Sequence, residues 1–191
     1  MTRIIAGAAK GRRLTTPKSD LTRPTTDRTR EALFSALTSW FDSADAEAHR
    51  QLEGVAVLDL YAGSGAVGLE AASRGAGPVL LVEHDRPTAR LIQTNAKSTG
   101  LSVEVRAAKA EAVAAEPGDA FDFIFLDPPY GASTDVVDTL LMSLAEGRLA
   151  PRGLVVVERS SRDRAPAWPA AYTEVWDRRY GETTLHFGAV E

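Results

Sequence analysis

A carboxylate, two prolines and an aromatic ring stand together at Asp127-Pro128-Pro129-Tyr130, directly after a hydrophobic run over 121–126. The Asp127 carboxylate and the Pro128 carbonyl oxygen can each accept one N–H of an exocyclic amine, and the prolines add no competing donor. Tyr130 offers a flat face for stacking a base. These residues predict a site that holds the amine of an unpaired or flipped base for attack on an electrophile. The alternative is a proline-stiffened turn that caps a strand.

A glycine-rich segment at 55–75 predicts a ligand site of a second kind. Its hydrophobic residues at 55–58 predict a buried strand, Gly63, Gly65 and Gly68 predict a tight loop, and a helix begins at 69–73. Glycines let the backbone approach a ligand, and the N–H groups at a helix start favour a polar or anionic guest. The alternative is a strand-to-helix turn without a ligand.

Asp59 distinguishes two kinds of adenosine cofactor for this loop. The spacing Gly63-x-Gly65-x-x-Gly68, with Glu83 about 20 residues further on, matches the fingerprint of dinucleotide-binding enzymes. Asp59 adds the pattern Asp-x-x-x-Gly-x-Gly, which resembles motif I of the class I S-adenosylmethionine methyltransferases. A carboxylate there can meet the positively charged methionyl end of S-adenosylmethionine, directly or through water, but is poorly placed against a pyrophosphate. The loop therefore favours S-adenosylmethionine, and a nicotinamide dehydrogenase is the alternative.

The composition indicates one well-buried domain with a small appendage, because the chain has 191 residues and ordinary hydrophobic content. There is no cysteine, which excludes disulfides and thiolate metal sites, and His49, His84 and His186 are scattered without metal-ligand spacing. No apolar run approaches the length of a membrane span, and the N-terminus lacks a signal-peptide pattern. We therefore expect a cytoplasmic monomer that uses no metal and no membrane.

Positive charge is concentrated at the N-terminus, although the net charge of the chain is −4. Residues 1–30 contain eight Lys or Arg and two Asp, a net charge of +6, which leaves −10 for the remainder. A basic arm on an acidic body indicates that one end contacts a polyanion, and a merely solvated terminus is the alternative. The candidate RNA-binding residues are Lys10, Arg12, Arg13, Arg23, Thr25, Arg28 and Arg30.

Alternating strands and helices predict an α/β fold with a parallel, doubly wound sheet and ligands at the carboxyl ends of its strands. Strands are predicted at 55–58, 78–83, 103–107, 121–126 and 154–158, with a closing hairpin at 173–187. A two-stranded hairpin is predicted within 3–16, before a helix that Pro24 opens with Thr25 or Thr26 as its cap. We therefore expect a basic hairpin extension over 1–22 and a main domain over 23–191 that begins with this helix.

The two motifs, in this order, resemble the amino-group S-adenosylmethionine methyltransferases, which act on adenine N6, cytosine N4, guanine N2 or a glutamine amide. The segments Arg3-Ile-Ile-Ala-Gly, Lys10-Gly-Arg-Arg-Leu and Thr22-Arg-Pro-Thr-Thr-Asp-Arg-Thr-Arg-Glu-Ala-Leu-Phe34 are similar to the RsmD family, the bacterial guanine-N2 methyltransferases of small-subunit ribosomal RNA. The resemblance continues through Tyr180-Gly-Glu-Thr183 and covers nearly the whole chain. It implies a Rossmann-like class I fold, S-adenosylmethionine as cofactor, and 16S ribosomal RNA, within a partly assembled small subunit, as substrate.

The resemblance also implies roles for single residues. Asp59, Gly63 and Gly65 would line the methionine side of the cofactor, Glu83 would bind the ribose hydroxyls, and the Asp127–Tyr130 segment would hold the guanine. A polar residue of the family near the adenine corresponds to Lys109, where lysine replaces the usual acid or amide and leaves mainly a backbone contact. The candidate cofactor-binding residues are Asp59, Tyr61, Ala62, Gly63, Ser64, Gly65, Gly68, Glu83, His84, Lys109 and Ala110.

Two further functions share parts of this pattern. An RNA-binding assembly factor could keep the fold without catalysis, but the intact Asp127, Pro128 and Tyr130 count against it. A DNA adenine-N6 methyltransferase would share the tetrapeptide, but it would usually carry a larger target-recognition region than 191 residues allow.

Overall fold

The computed structural model describes residues 2–17 and 26–191, which form a two-stranded and a seven-stranded sheet with helices. The small sheet pairs β1 (Thr2–Arg3) with β2 (Arg13–Leu14) in an antiparallel hairpin. The strands of the large sheet are β3 (Val57–Leu60), β4 (Val79–Glu83), β5 (Glu104–Ala107), β6 (Phe121–Leu126), β7 (Leu149–Ser160), β8 (Glu174–Tyr180) and β9 (Thr183–Ala189). The helices are α1 (Asp27–Trp40), α2 (Ala66–Ser73), α3 (Arg86–Thr99), α4 (Ala110–Ala115) and α5 (Thr134–Gly147), with a 3-10 turn at Ala48–Arg50.

The large sheet has the strand order β5-β4-β3-β6-β7-β9-β8. Strands β3 to β7 are parallel, and β9 and β8 close the sheet in antiparallel pairing. The predicted α/β fold with a parallel sheet, a C-terminal hairpin and an N-terminal hairpin is therefore confirmed. Since β3 lies between β4 and β6, the order reverses there, and ligands of such sheets bind beside the carboxyl ends of the strands at this point.

The central strands bury side chains on both faces of the sheet, since successive side chains point to opposite faces and helices cover each face. Val57 of β3, Phe123 of β6 and Val156 of β7 pack in one cluster together with the apolar side of α1. Leu58 and Ile124 pack in a second cluster with α4 and α5. The strand ends are thereby held in a fixed register, and the loops that follow them meet at one edge of the sheet.

The N-terminal hairpin is docked against α2 by buried polar groups. The carboxylate of Glu70 accepts the backbone N–H groups of Ile5 at 2.7 Å and Ala6 at 3.0 Å. The hydroxyl of Ser73 donates to the carbonyl oxygen of Ala6 at 2.6 Å. Gly7 has φ +83°, and a Cβ there would collide with the backbone of Ser73, so this close approach requires glycine. The hairpin therefore sits on the helix that follows the glycine loop.

The elements differ from the sequence-based expectation at a few boundaries. Helix α2 begins at Ala66, so Gly68 lies inside the helix and not in the loop. Strand β7 runs over 12 residues and extends beyond the predicted 154–158 at both ends. Thr26 caps α1 by accepting the N–H of Thr29 at 3.2 Å, whereas Pro24 and Thr25 lie outside the described residues. Within the described ranges, no helix has the length and apolar character needed to cross a membrane.

Candidate active site

The glycines Gly63, Gly65 and Gly68, which follow β3, serve different structural purposes. A Cβ at Gly63, where φ is +56°, would meet only the carbonyl oxygen of Tyr61 at 4.0 Å, so this glycine faces open space. A Cβ at Gly65 would lie 2.9 Å from Ile92, and one at Gly68 would lie 2.7 Å from Leu81. The second and third glycines therefore allow α2 to pack on the sheet, and the first leaves room where a ligand can approach the backbone.

Asp59 is buried at the end of β3 and connects this strand to α2. Its Oδ2 accepts the backbone N–H of Gly68 at 2.8 Å. Burial, with a smaller contribution from the charge of Glu83, raises the pKa of Asp59 to about 7, although the Gly68 hydrogen bond acts in the opposite direction. Asp59 thus fixes the start of α2, while its contact with a methionyl group stays a prediction.

Glu83 reaches from the end of β4 to the glycine loop. One carboxylate oxygen accepts the N–H of Gly63 at 3.1 Å, and the other accepts the N–H of Asp85 at 2.9 Å. The neighbouring His84 is exposed and lies 3.0 Å from the same carboxylate through Nδ1. A carboxylate accepts several hydrogen bonds, so Glu83 can still accept from hydroxyl groups that lie over the loop.

The remaining predicted cofactor residues surround this loop. Tyr61 donates its hydroxyl to Glu111 at 3.0 Å, and burial followed by the charge of Glu111 raises the pKa of Tyr61. Lys109 is exposed at the start of α4, and Ala110 after it is buried. The N–H of Ala62 donates to the carbonyl oxygen of Val82 in β4, and the side-chain amide of Asn95 in α3 donates to the carbonyl oxygen of Ser64.

The chemistry of this donor set fits an adenosine cofactor with a cationic end. Asp59, Glu83 and Glu111 place carboxylates around the loop, and these suit hydroxyl donors and positive charge better than a pyrophosphate. Arg74, the basic residue in the segment 55–75, is paired with Glu70 at 2.9 Å. Within the described ranges, no group of His, Cys, Asp or Glu is arranged to hold a metal ion.

The Asp127–Tyr130 segment begins one residue after β6 and borders a cleft of about 340 Å³. The N–H of Asp127 points to the carbonyl oxygen of Leu60 at 3.5 Å, which places the segment beside the loop that follows β3. Pro128 is buried, whereas Tyr130 is 94% exposed at the cleft. The cleft is lined by Thr26, Asp127, Pro128, Pro129, Tyr130, Glu158, Arg159, Ser160, Arg162, Asp163, Glu182 and Thr183.

A family model described as conserved hypothetical protein 95 matches residues 2–189. Ribosomal RNA small subunit methyltransferase D of Escherichia coli K12 is 35% identical over 172 residues, which are 90% of this chain and 81% of that protein. The chain belongs to this family. The solved structure of the Escherichia coli protein yhhF superposes with a TM-score of 0.83 at 30% identity and covers 100% of this chain and 98% of its own.

A more distant solved structure extends the likeness in fold alone. It is the Thermus thermophilus 16S ribosomal RNA guanine-N2 methyltransferase in complex with AdoMet and guanosine, at a TM-score of 0.70 and 22% identity. The match covers 92% of this chain and 45% of that one. Together with the yhhF structure, it places the chain among proteins with the class I methyltransferase fold, as the sequence predicts.

Several side chains that line the cleft were not predicted from the sequence. Glu158 and Arg159 end the run Val155-Val-Val-Glu-Arg159 of β7, and Glu182 comes from the turn between β8 and β9. Arg159 donates to the carbonyl oxygen of Ala132 at 2.9 Å and thereby holds the turn that follows Tyr130. Charged residues directly after a hydrophobic strand were the available signal, as they were for Asp127. Glu182 reaches the cleft only through the tertiary fold, so no local sequence signal indicated it.

Of the predicted RNA-binding residues, four are exposed, one is buried, and two lie outside the described residues. Lys10, Arg12, Arg13 and Arg28 are exposed. The prediction for Arg30 is wrong, because this side chain is fully buried and its Nη2 donates to the carbonyl oxygen of Arg3 and, at 3.0 Å, to Asp27. Helical spacing turns Arg30 toward the body, where it joins α1 to the hairpin. Arg23 and Thr25 lie outside the described residues.

Proposed function

We propose that this protein transfers a methyl group from S-adenosylmethionine to the exocyclic N2 amine of a guanine in 16S ribosomal RNA. One observation carries the proposal: Asp127-Pro128-Pro129-Tyr130 lies at the end of β6, directly beside the glycine loop after β3. An amine-holding segment and a cofactor loop thus meet where the strand order reverses. The name of the Escherichia coli relative supports methyl transfer to small-subunit ribosomal RNA.

The choice of guanine N2 rests on the family resemblance and is compatible with the fold. The Thermus protein with the same fold carries guanine-N2 in its name and binds guanosine. In the present chain, Asp127 and the carbonyl oxygen of Pro128 each accept one N–H of the target amine. The nitrogen lone pair, which the ring otherwise withdraws, is then directed at the reacting carbon, and Tyr130 stacks on the flipped base.

When bound, S-adenosylmethionine supplies an electrophilic methyl group on a positively charged sulfur and leaves as a neutral thioether. Glu83 accepts hydrogen bonds from the ribose hydroxyls, and Gly63 leaves the space that the backbone contact requires. Asp127 stabilises the positive charge that develops on the amine as the N–C bond forms, and it takes the proton that the nitrogen releases. No strong base is needed, because positioning and electrostatics supply most of the rate enhancement.

The RNA is held on the side of the N-terminal hairpin. Lys10, Arg12 and Arg13 are exposed on this hairpin, and Arg28 is exposed on the first turn of α1. The remainder of the chain carries net negative charge, so the attraction to phosphates is concentrated at this arm. We therefore propose a partly assembled small subunit as the substrate, in which bound proteins add recognition that naked RNA lacks.

The experiment that tests the proposal compares methyl acceptors. The protein is incubated with labelled S-adenosylmethionine and small subunits from cells lacking this gene, naked 16S RNA or duplex DNA, and the nucleosides are identified after digestion. The expected product is N2-methylguanosine in the subunit particles. Label in N6-methyladenosine of duplex DNA would identify a DNA methyltransferase. Absence of transfer despite binding of the subunits would indicate an assembly factor without catalysis.

A further inference from the structure

The end of β7 places a second carboxylate beside Asp127. In the parallel pair of β6 and β7, Leu126 lies opposite Val157, so Asp127 and Glu158 occupy the next step of the register. Phe125 and Val156, two residues earlier on each strand, both belong to the cluster that packs against α1. Because side chains alternate along a strand, Asp127 and Glu158 point to this same face. Both line the cleft of about 340 Å³.

Glu158 is held in this position more firmly than a surface acid. Glu158 is only 9% exposed. Its strand lies between β6 and β9, and Glu158 lies opposite Leu185 of β9. The next residue, Arg159, is also buried and holds the turn after Tyr130 through Ala132. Glu158 lines the cleft, so its side chain borders whatever base the cleft holds.

The two carboxylates match the hydrogen-bond donors of one base. Guanine presents two N–H groups on N2 and a third on the adjacent N1, whereas the corresponding ring nitrogens of adenine and cytosine are acceptors. If Asp127 and the carbonyl oxygen of Pro128 accept the two N–H groups of the amine, N1–H requires another acceptor next to them. Glu158 is the neighbouring carboxylate on the same face of the cleft.

We propose that Glu158 is the residue that selects guanine, by accepting the N1–H of the target base while Asp127 and Pro128 hold the N2 amine. This inference rests on the proposed function and names the group that sets its base specificity. A carboxylate at this place also rejects adenine and cytosine, because it would face a ring-nitrogen lone pair without a proton between them. Glu158 is thus a specificity-determining residue and does not act on the methyl group.

The test replaces the target guanine by 2-aminopurine in reconstituted small-subunit particles. This analogue keeps the N2 amine, has an acceptor at N1 and lacks O6, so the comparison of wild type with the Glu158 variant isolates the contact at N1. We expect the wild-type protein to prefer guanine in kcat/KM by about 10- to 100-fold. In Glu158→Gln the side-chain amide can accept from guanine or donate to 2-aminopurine, so this preference should fall to within about threefold.

Glu174→Gln on β8 is the matched control, since this glutamate is exposed and does not line the cleft. It should keep the wild-type preference for guanine. Thermal unfolding and calorimetric S-adenosylmethionine binding show whether each variant is folded. If Glu158→Gln does not fold, Glu158→Asp retains the charge with a shorter reach and should lower the rate on guanine more than the rate on 2-aminopurine.

The outcomes separate this inference from the proposed function. If the wild-type protein methylates guanine and 2-aminopurine equally well, or if Glu158→Gln lowers both rates by the same factor, the selection by Glu158 is refuted and the guanine-N2 transfer stands. If the wild-type protein forms no N2-methylguanosine in unmodified particles, the proposed function fails and takes the inference with it. A preference that is present in the wild type and absent in Glu158→Gln supports both.

Discussion

The glycine loop and the base cleft lie at the same edge of the sheet but are built in different ways. In the loop, carboxylates already hold backbone groups: Asp59 binds the N–H of Gly68, and Glu83 binds the N–H of Gly63. In the cleft, side chains from separate segments of the chain come together, and Tyr130 is 94% exposed. The loop is therefore preorganised by the fold, whereas the cleft presents individual side chains to the substrate.

This difference predicts how the two regions respond to substitution. Changes in the loop remove groups that hold the backbone, so they should alter cofactor affinity and stability together. Changes at Asp127 and Tyr130 in the cleft remove groups that contact the substrate, so they should alter turnover more than stability. The variants below separate these two responses, beginning with the largest expected effect.

Asp127→Ala removes the carboxylate that holds the target amine and takes its proton. We expect kcat to fall about 10²- to 10⁴-fold, because the variant can neither position the amine nor accept its proton. The affinity for S-adenosylmethionine, measured by calorimetry, should be nearly unchanged, since the loop carboxylates are intact. Asp135→Ala on α5 is the control and should behave as the wild type. A parallel loss of cofactor binding in Asp127→Ala would contradict the separation of loop and cleft.

Asp59→Asn tests the burial of the loop carboxylate through the pH dependence of stability. Burial raises the pKa of Asp59 from 3.8 to about 7, so the folded state binds a proton that the unfolded state has released in this range. The unfolding free energy contributed by Asp59 is therefore full below pH 4 and is lost as the pH rises toward 7, by on the order of 2–4 kcal/mol. Denaturant unfolding between pH 4 and 8 should show this slope in the wild type and a smaller one in Asp59→Asn. Equal slopes would contradict it.

Glu83→Gln tests whether the second loop carboxylate binds the cofactor. The amide can keep one acceptor for the loop but loses the charge-assisted hydrogen bonds to hydroxyl groups, which are each stronger than neutral ones. The Kd for S-adenosylmethionine should rise by about 10- to 100-fold. The exposed Glu146 of α5 provides the control substitution Glu146→Gln. An unchanged Kd in Glu83→Gln would remove Glu83 from the cofactor site.

Tyr130→Ala tests the stacking surface of the cleft. Because the ring is almost fully exposed, its removal should leave the unfolding temperature unchanged. Stacking of a base on an aromatic ring contributes about 1–3 kcal/mol, so kcat/KM for the RNA substrate should fall about 5- to 150-fold. Tyr130→Phe keeps the ring and should retain most of the activity. A full loss of activity in Tyr130→Phe would show that the hydroxyl, not the ring, is the functional group.

Arg12→Gln with Arg13→Gln tests the basic hairpin, where the smallest effect is expected. These side chains are exposed, so their attraction to RNA phosphates would be screened by salt. The slope of log Kd for the RNA against log salt should decrease by about 0.7–0.9 for each phosphate that the variant no longer neutralises. Arg28→Gln on the first turn of α1 should act in the same direction. A slope equal to that of the wild type would place the RNA-binding surface elsewhere.

The glycine loop was largely predictable from the sequence, and the cleft only in part. Asp59 lies near the end of the hydrophobic strand β3, and the loop glycines and Asp127 follow hydrophobic strands, so local patterning was sufficient to locate them. The position of Gly68 inside α2 was missed, because a third glycine in series looks like loop although it packs against Leu81. Charge alone could not show that Arg30 is buried against Asp27.

The remaining cleft residues depend on strand order and not on local sequence. Glu158 comes next to Asp127 only because β7 pairs with β6, and Glu182 arrives through the antiparallel hairpin that follows. The segment between Asp127 and Glu158 contains helix α5, so no local pattern connects the two carboxylates. Their proximity therefore became visible only once the sheet topology was known.

A single-turnover reaction tests most directly whether the loop and the cleft form one site for guanine-N2 transfer. Wild-type protein and Asp127→Ala, each loaded with labelled S-adenosylmethionine, are mixed with small-subunit particles that lack the methyl group, and the 16S RNA is digested to nucleosides. We expect the wild type to place its label in N2-methylguanosine, and Asp127→Ala to bind as much label but transfer almost none. Label in another nucleoside, or equal transfer by Asp127→Ala, would contradict a single site for guanine-N2 transfer.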